Sequence, residues 1–100
     1  MIELRRITGF DWDAGNARKS VDKHAVSQPE AEQLFFRKPL WIAVDMRHSQ
    51  QEERFHALGQ TAAGRLLHVT FTLREEGTKI RIISARDMSR RERRLYEQAS

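Results

Sequence analysis

Residues 79–97 read K-I-R-I-I-S-A-R-D-M-S-R-R-E-R-R-L-Y-E, and the fold turns on how this stretch is read. Ile80, Ile82 and Ile83 are β-branched within the run Lys79–Ala85, whose alternation suits a half-buried strand. Ser89 and Glu92 have the S-x-x-E spacing of a capping box, in which each side chain satisfies a free backbone N–H of the other residue. A helix is therefore expected from Ser89. Arg86, Arg90, Arg91, Arg93 and Arg94 crowd the junction between the two elements. That junction should form a rigid cationic platform, and the N–H groups of a helix's first turn also favour an anion.

Upstream, Leu66–Arg74 alternates cleanly: Leu67, Val69, Phe71 and Leu73 make a core face, and His68, Thr70, Thr72 and Arg74 a polar one. Glu75-Glu76-Gly77-Thr78 reads as the hairpin turn joining this strand to the next. Two further strands are expected at Trp41–Arg47 and Arg54–Gly59, separated by a polar loop over Arg47–Gln51. Helical spacing of Ala14, Ala17, Val21 and His24 predicts an amphipathic helix over Ala14–His24, N-capped by Asp11 or Asp13. Ser27 and Glu30 form a second capping box, opening a short helix that carries Ala31, Leu34 and Phe35 and closes at Pro39. Ile2–Thr8 reads as a first short strand broken by Gly9. The expected order is strand, two helices, four strands and a final helix. This is an α+β domain with a mostly antiparallel sheet of four to five strands.

One hundred residues suffice for one domain with one modest core. The absence of cysteine excludes disulfides, thiolate nucleophiles and cysteine-bound metals. No apolar run approaches the roughly 18 residues of a membrane helix, and the N-terminus lacks a signal-peptide core, so a cytoplasmic protein with no membrane association is expected. No metal-binding spacing of His or carboxylates is present. The net charge is +4 and uneven: residues 51–100 carry ten Lys/Arg against seven Asp/Glu, and nine of the ten are Arg. Arginine forks bind phosphate in a bidentate manner, so this bias points to an acidic partner, either a nucleic acid or an acidic protein. The alternative is a merely solvated basic surface.

Several motifs occur together in order: Phe10-Asp11-Trp12-Asp13; Lys23-His24-Ala25-Val26-Ser27; Glu52-Glu53-Arg54-Phe55 with Leu58-Gly59; Gly64-Arg65-Leu66-Leu67; Phe71-Thr72-Leu73-Arg74; Arg81–Arg86; Arg91-Glu92-Arg93-Arg94 and Tyr96-Glu97. In that order and spacing they resemble the BrnT family, toxins of bacterial type II toxin–antitoxin pairs with a RelE-like ribonuclease fold. Three positions depart from the family pattern. Ala25 stands where glycine is usual, Ser20 replaces an asparagine, and Lys38 replaces an aspartate. The resemblance implies an endoribonuclease that cuts free RNA or ribosome-bound mRNA, so inhibiting translation, and is silenced by a BrnA-like ribbon-helix-helix antitoxin. Operator DNA would be reached only through that antitoxin.

Metal-independent RNA cleavage needs a base for the 2′-hydroxyl, cations for the phosphate and an acid for the leaving oxygen. Arg74, Arg86 and Arg54 are the expected phosphate clamps. His24, Glu53 and His68 are alternatives for the base, and Lys23, His68, Arg65, Arg81 and Arg90 are expected to hold RNA. No cofactor is expected. Trp12 and Trp41 are expected in the core, with the role of Tyr96 open. Two rival readings remain: a module that binds RNA or an antitoxin without cutting, and a co-repressor that acts only with a DNA-binding partner.

Overall fold

The computed structural model describes residues 3–47 and 52–99. Five strands form one sheet in the order β1-β5-β4-β3-β2. They are β1 (Gly9–Trp12), β2 (Trp41–Val44), β3 (Arg54–Gln60), β4 (Leu66–Arg74) and β5 (Lys79–Asp87). Strands β2 to β5 pair antiparallel, whereas β1 runs parallel to β5. The helices are α1 (Ala14–His24), α2 (Gln28–Gln33) and α3 (Arg90–Ala99).

Alternation along the strands divides the sheet into two faces. The inner face buries Phe55, Ala57, Leu67, Val69, Phe71, Ile80, Ile82 and Ala85 against Val26, Ala31 and Leu34 of the helical layer. Phe71 stacks on Phe55 with ring centroids 5.3 Å apart and meets Phe35 edge-on at 5.1 Å. Each such side chain contributes about 1.5–3 kcal/mol by leaving water, so this layer dominates stability. Leu34 presses so closely on β3 that a Cβ at Gly59 would lie 2.9 Å from Leu34 Cγ. At that position glycine is required by contact rather than by a turn.

Several expectations are corrected. The run before Gly9 contains a 3-10 turn at Leu4–Arg6 rather than a strand, and Gly9 opens β1 instead of breaking it. The reason is non-local: pairing beside β5 lets Phe10 and Trp12 pack on the core, and Trp12 Nε1 donates to Glu32 Oε2 at 2.7 Å. On α1 the stripe is rotated by one residue. Val21 is half exposed and His24 exposed, while Ser20 is buried and its Oγ accepts from Ala85 N–H at 3.2 Å. Beyond the end of β1, the edge of β5 needs a partner for that N–H, and a hydroxyl supplies what valine cannot. Trp41 is 40 % exposed because β2 is an edge strand and none of the described residues covers the indole fully. Tyr96, by contrast, is buried and donates its hydroxyl to Pro39 O at 2.7 Å, fastening α3 to the outer face. The expected Arg47–Gln51 loop lies mostly outside the described residues, as does Ile2. Asp13 is the N-cap of α1, and both capping boxes form.

A bulge sets the orientation of the end of β5. Thr70 pairs with Ser84 and Phe71 with Ile82, so Ile83 has no residue opposite it. One extra residue reverses the facing of everything beyond it. Ala85 is thereby turned into the core and Arg86 out, onto the same face as Arg81.

Candidate functional site

The outer face carries Arg54 and His56 from β3, His68, Thr70, Thr72 and Arg74 from β4, and Arg81, Ser84 and Arg86 from β5. Helix α3 covers one end of this face through Leu58, Leu66, Met88 and Tyr96. Between α3 and the edge strand β2 a cleft of about 320 Å³ remains open, floored by His56, His68 and Glu92 and walled by Trp41 and Leu95.

A polar network crosses the cleft. His56 Nε2 lies 3.0 Å from Asp45 Oδ2, and its Nδ1 is 3.1 Å from Thr70 Oγ1. The carboxylate requires a hydrogen on Nε2, so in the neutral ring Nδ1 accepts from the threonine hydroxyl. Asp45 is itself buried and takes Arg47 N–H on Oδ1, which fixes its orientation. The rings of His56 and His68 are 4.8 Å apart. Burial, reinforced by Arg86, holds the His68 pKa down at about 4, so this imidazole is neutral at pH 7. Its Nδ1 is buried without a hydrogen-bond partner among the described residues, and its Nε2 is 4.0 Å from Glu92 Oε2. Burial opposes ionisation of Glu92. The Arg86 hydrogen bonds and the Ser89 N–H outweigh it and bring the pKa down to about 2.

The arginines gather on one face, and Arg74, Arg81 and Arg86 each hold a carboxylate. Arg86 grips Glu92 with two bonds of 2.8 and 2.9 Å, Arg81 meets Asp11 at 3.0 Å, and Arg74 meets Glu52 at 3.2 Å. Magnitudes separate them. The pairs of Arg74 and Arg81 are a third or more exposed on at least one side, and such pairs are worth about 0–1 kcal/mol, which an arriving phosphate can replace. Arg86 is no less exposed than Arg81, but its partner Glu92 is more enclosed, and the pair is bidentate and built into the capping box of α3. It orients Glu92 and the start of α3.

Arg65, expected to contact RNA, is otherwise engaged. Its guanidinium binds Asp87 at 2.7 and 3.1 Å, Ala25 O at 2.8 Å, His24 O at 3.0 Å and Glu30 Oε2 at 3.3 Å. Hydrogen bonding to Asp87 raises the Arg65 pKa, and the same bond lowers that of Asp87. The motif Lys23–Ser27 is thus the other half of this clasp. Ala25 is the left-handed C-cap of α1 at φ 53°, Val26 is buried, and Ser27 caps α2. Lys23 and His24 are exposed at the end of α1, away from the outer face. Glu53 is exposed just before β3, where its carbonyl accepts from Thr72 Oγ1 at 2.7 Å, and Arg90 is exposed at the first position of α3. Of the expected residues, the structure brings together Arg54, His68, Arg74, Arg81 and Arg86. Sequence reading missed the pairing of His56 with Asp45. The available signal was that β-alternation puts Asp45 and Trp41 on one side of one strand, and His56 and Arg54 on one side of the next.

Among the described residues no group of three His, Asp or Glu side chains is placed to hold a metal ion, and no helix is long and apolar enough to cross a membrane. A family model described as the ribonuclease toxin BrnT of type II toxin–antitoxin systems matches residues 12–92. The chain belongs to the BrnT family. Its fold is similar to the 1.1 Å crystal structure of the Brucella abortus ribonuclease toxin BrnT, with a TM-score of 0.59 and 18 % identity over 82 % of this chain and 97 % of that one. No curated protein matches the sequence. The BrnT assignment read from the ordered motifs therefore stands, as does the α+β fold. The family is one of ribonuclease toxins, which implies an RNA substrate and an antitoxin partner.

Proposed function

We propose that this chain is a metal-independent endoribonuclease that cuts RNA across the outer face and so inhibits translation, neutralised by a cognate BrnA-like antitoxin. One observation carries the reading: two histidines in ring contact, one oriented by a buried carboxylate, share a face with Arg54, Arg74 and Arg81. His56 is the better-supported base, ahead of His24 and Glu53, which stand off that face. Asp45 holds one ring nitrogen, and Nδ1 takes the 2′-hydroxyl proton directly or through Thr70. The 2′-oxygen then bonds to the adjacent phosphorus, the bond to the 5′-oxygen breaks, and that oxygen takes a proton from water while His56 returns the 2′-hydroxyl proton to solvent. His68 stays neutral beside His56, so a proton arriving on His56 meets no second imidazolium at 4.8 Å. Arg54, two residues from His56 on β3, balances the charge of the five-coordinate phosphate, and Arg81 and Arg74, farther along the same face, hold neighbouring phosphates of the strand. The carboxylates facing Arg74 and Arg81 favour the rival reading, a module that binds without cutting.

Single-stranded RNA incubated with the purified chain in EDTA decides between them. Cleavage is expected, and His56→Ala should reduce it by about 100-fold or more, the usual contribution of a positioned base. Induction without an antitoxin should arrest growth. An intact, folded chain that neither cuts RNA nor arrests growth would establish the binding module instead.

A further inference from the structure

The cleft beside α3 has a composition that phosphate binding leaves unexplained. Its walls are largely apolar, the Trp41 indole and Ala43 on β2 and Leu95 on α3, with Ser89 and Arg91 beside them at the start of α3. Trp41 and Leu95 are 40 % and 45 % exposed, so both present bare surface to the opening. Its floor is polar, formed by His56, His68 and Glu92. At about 320 Å³ it lies at the bottom of the roughly 300–1,000 Å³ range of small-ligand clefts. A flat ring with one polar edge fits this chemistry, and the adjoining face of Arg54, Arg74 and Arg81 selects a ring attached to phosphate.

We propose that the cleft is a nucleobase seat, in which one unpaired base of an RNA strand lies against Trp41 with its hydrogen-bonding edge toward Glu92 and His68. The inference rests on RNA being the molecule bound at the outer face, and it adds a determinant of which nucleotide is held there. Stacking on an aromatic ring is tolerant of base identity, whereas polar groups at the base edge discriminate. The Glu92 carboxylate already accepts from Arg86 Nη1 and Nη2 and from Ser89 N–H. With about four lone-pair directions, it retains one acceptor position for a base N–H. The neutral His68 ring contributes a donor or an acceptor without adding charge. Arg86 therefore acts as a positioning residue for this seat.

Nuclear magnetic resonance of the full chain tests the proposal, because its two indole N–H signals report separately on Trp12 and Trp41. Titration with AMP, GMP, CMP and UMP should shift the Trp41 signal and leave Trp12 in place, whereas ribose 5-phosphate and inorganic phosphate should move neither. Trp41→Ala should weaken binding of a 2′-O-methyl RNA, which lacks the attacking hydroxyl, by about ten-fold, in the range of base–aromatic stacking. Trp41→Phe should restore most of it, and Ala43→Leu, which fills the cleft, should weaken it again. A Trp41 signal indifferent to every nucleotide overturns the seat, as does unchanged affinity in Trp41→Ala. So does an indole that moves only when a protein partner is added. If RNA is cut equally well by Trp41→Ala, the seat falls and the ribonuclease stands. If the indole responds to nucleotides and nothing is cut, the seat stands and the ribonuclease falls.

Discussion

Arg65 and Arg81 are both arginines facing carboxylates, yet they belong to opposite ends of the sheet and to different tasks. At the β3–β4 turn, Arg65 spends its guanidinium on two carboxylates and on two backbone carbonyls at the end of α1. Those carbonyls have no partner within the helix, so the arginine completes the helix end while fastening α1, α2 and β5 together. At the β4–β5 hairpin end, Arg81 and Arg74 each hold one carboxylate on a solvated surface. The first arrangement would be expensive to open and the second nearly free. Partner number rather than exposure thus separates a structural arginine from one available to a phosphate, since Arg65 and Arg81 are 27 % and 31 % exposed.

This contrast can be broken. Arg65→Ala should destabilise the chain by about 1–2 kcal/mol, since it removes bonds to two carboxylates and two carbonyls together, each discounted for solvent access. A urea midpoint measurement reads this, and an equal loss in Arg81→Ala would erase the distinction. Of similar size is the acid limb. The ordinary His68 pKa is 6.5, and the fold lowers it to about 4, so the unfolded chain takes up the proton first. His68 should therefore contribute stability that is complete above pH 6.5 and lost as pH falls to about 4. It amounts to about 2 kcal/mol after allowing for partial solvent access to the ring. Glu92, lowered to about 2, should lose its contribution between pH 4.5 and 2. Urea titrations from pH 7 to 4 should show the upper part of the slope vanish in His68→Gln.

Within the fastened end itself, Ala25→Gly should stabilise by about 1 kcal/mol, because the C-cap is held at φ 53°, a conformation that carries no penalty in glycine. The family's usual glycine at this position has that physical meaning. The smallest expected effect sharpens the open end. Arg74→Ala and Arg81→Ala should each change stability by no more than about 0.5 kcal/mol. Each should also reduce the slope of log affinity for RNA against log salt by about 0.7, one phosphate contact on a single strand. A substitution that leaves the slope untouched removes that arginine from the phosphate path.

Local physics accounts for most of what the sequence makes legible. Capping boxes at Ser27 and Ser89 involve residues three apart, and the alternation in Leu66–Arg74 needs no knowledge of distant chain. These elements and the polar face of β4 were therefore readable, and with them Arg74 and His68. The pairing of β1 with β5, the rotation of α1 onto Ser20 and the exposure of Trp41 depend on residues far apart in the chain. The Asp45–His56 pair was hidden for a related reason, since only the register of β2 against β3 decides which side chains meet across them.

The amino-acid sequence by itself determined the elements, the family and the surplus of arginine, because these follow from periodicity, motif order and composition. Tertiary structure alone decided which arginines are open. It closed Arg65 into a clasp, and through the single unpaired residue Ile83 it turned Arg86 outward to hold Glu92 beside His68. The physical reason is that a side chain's facing depends on strand register, and register is settled by which whole face of the sheet buries its apolar side chains.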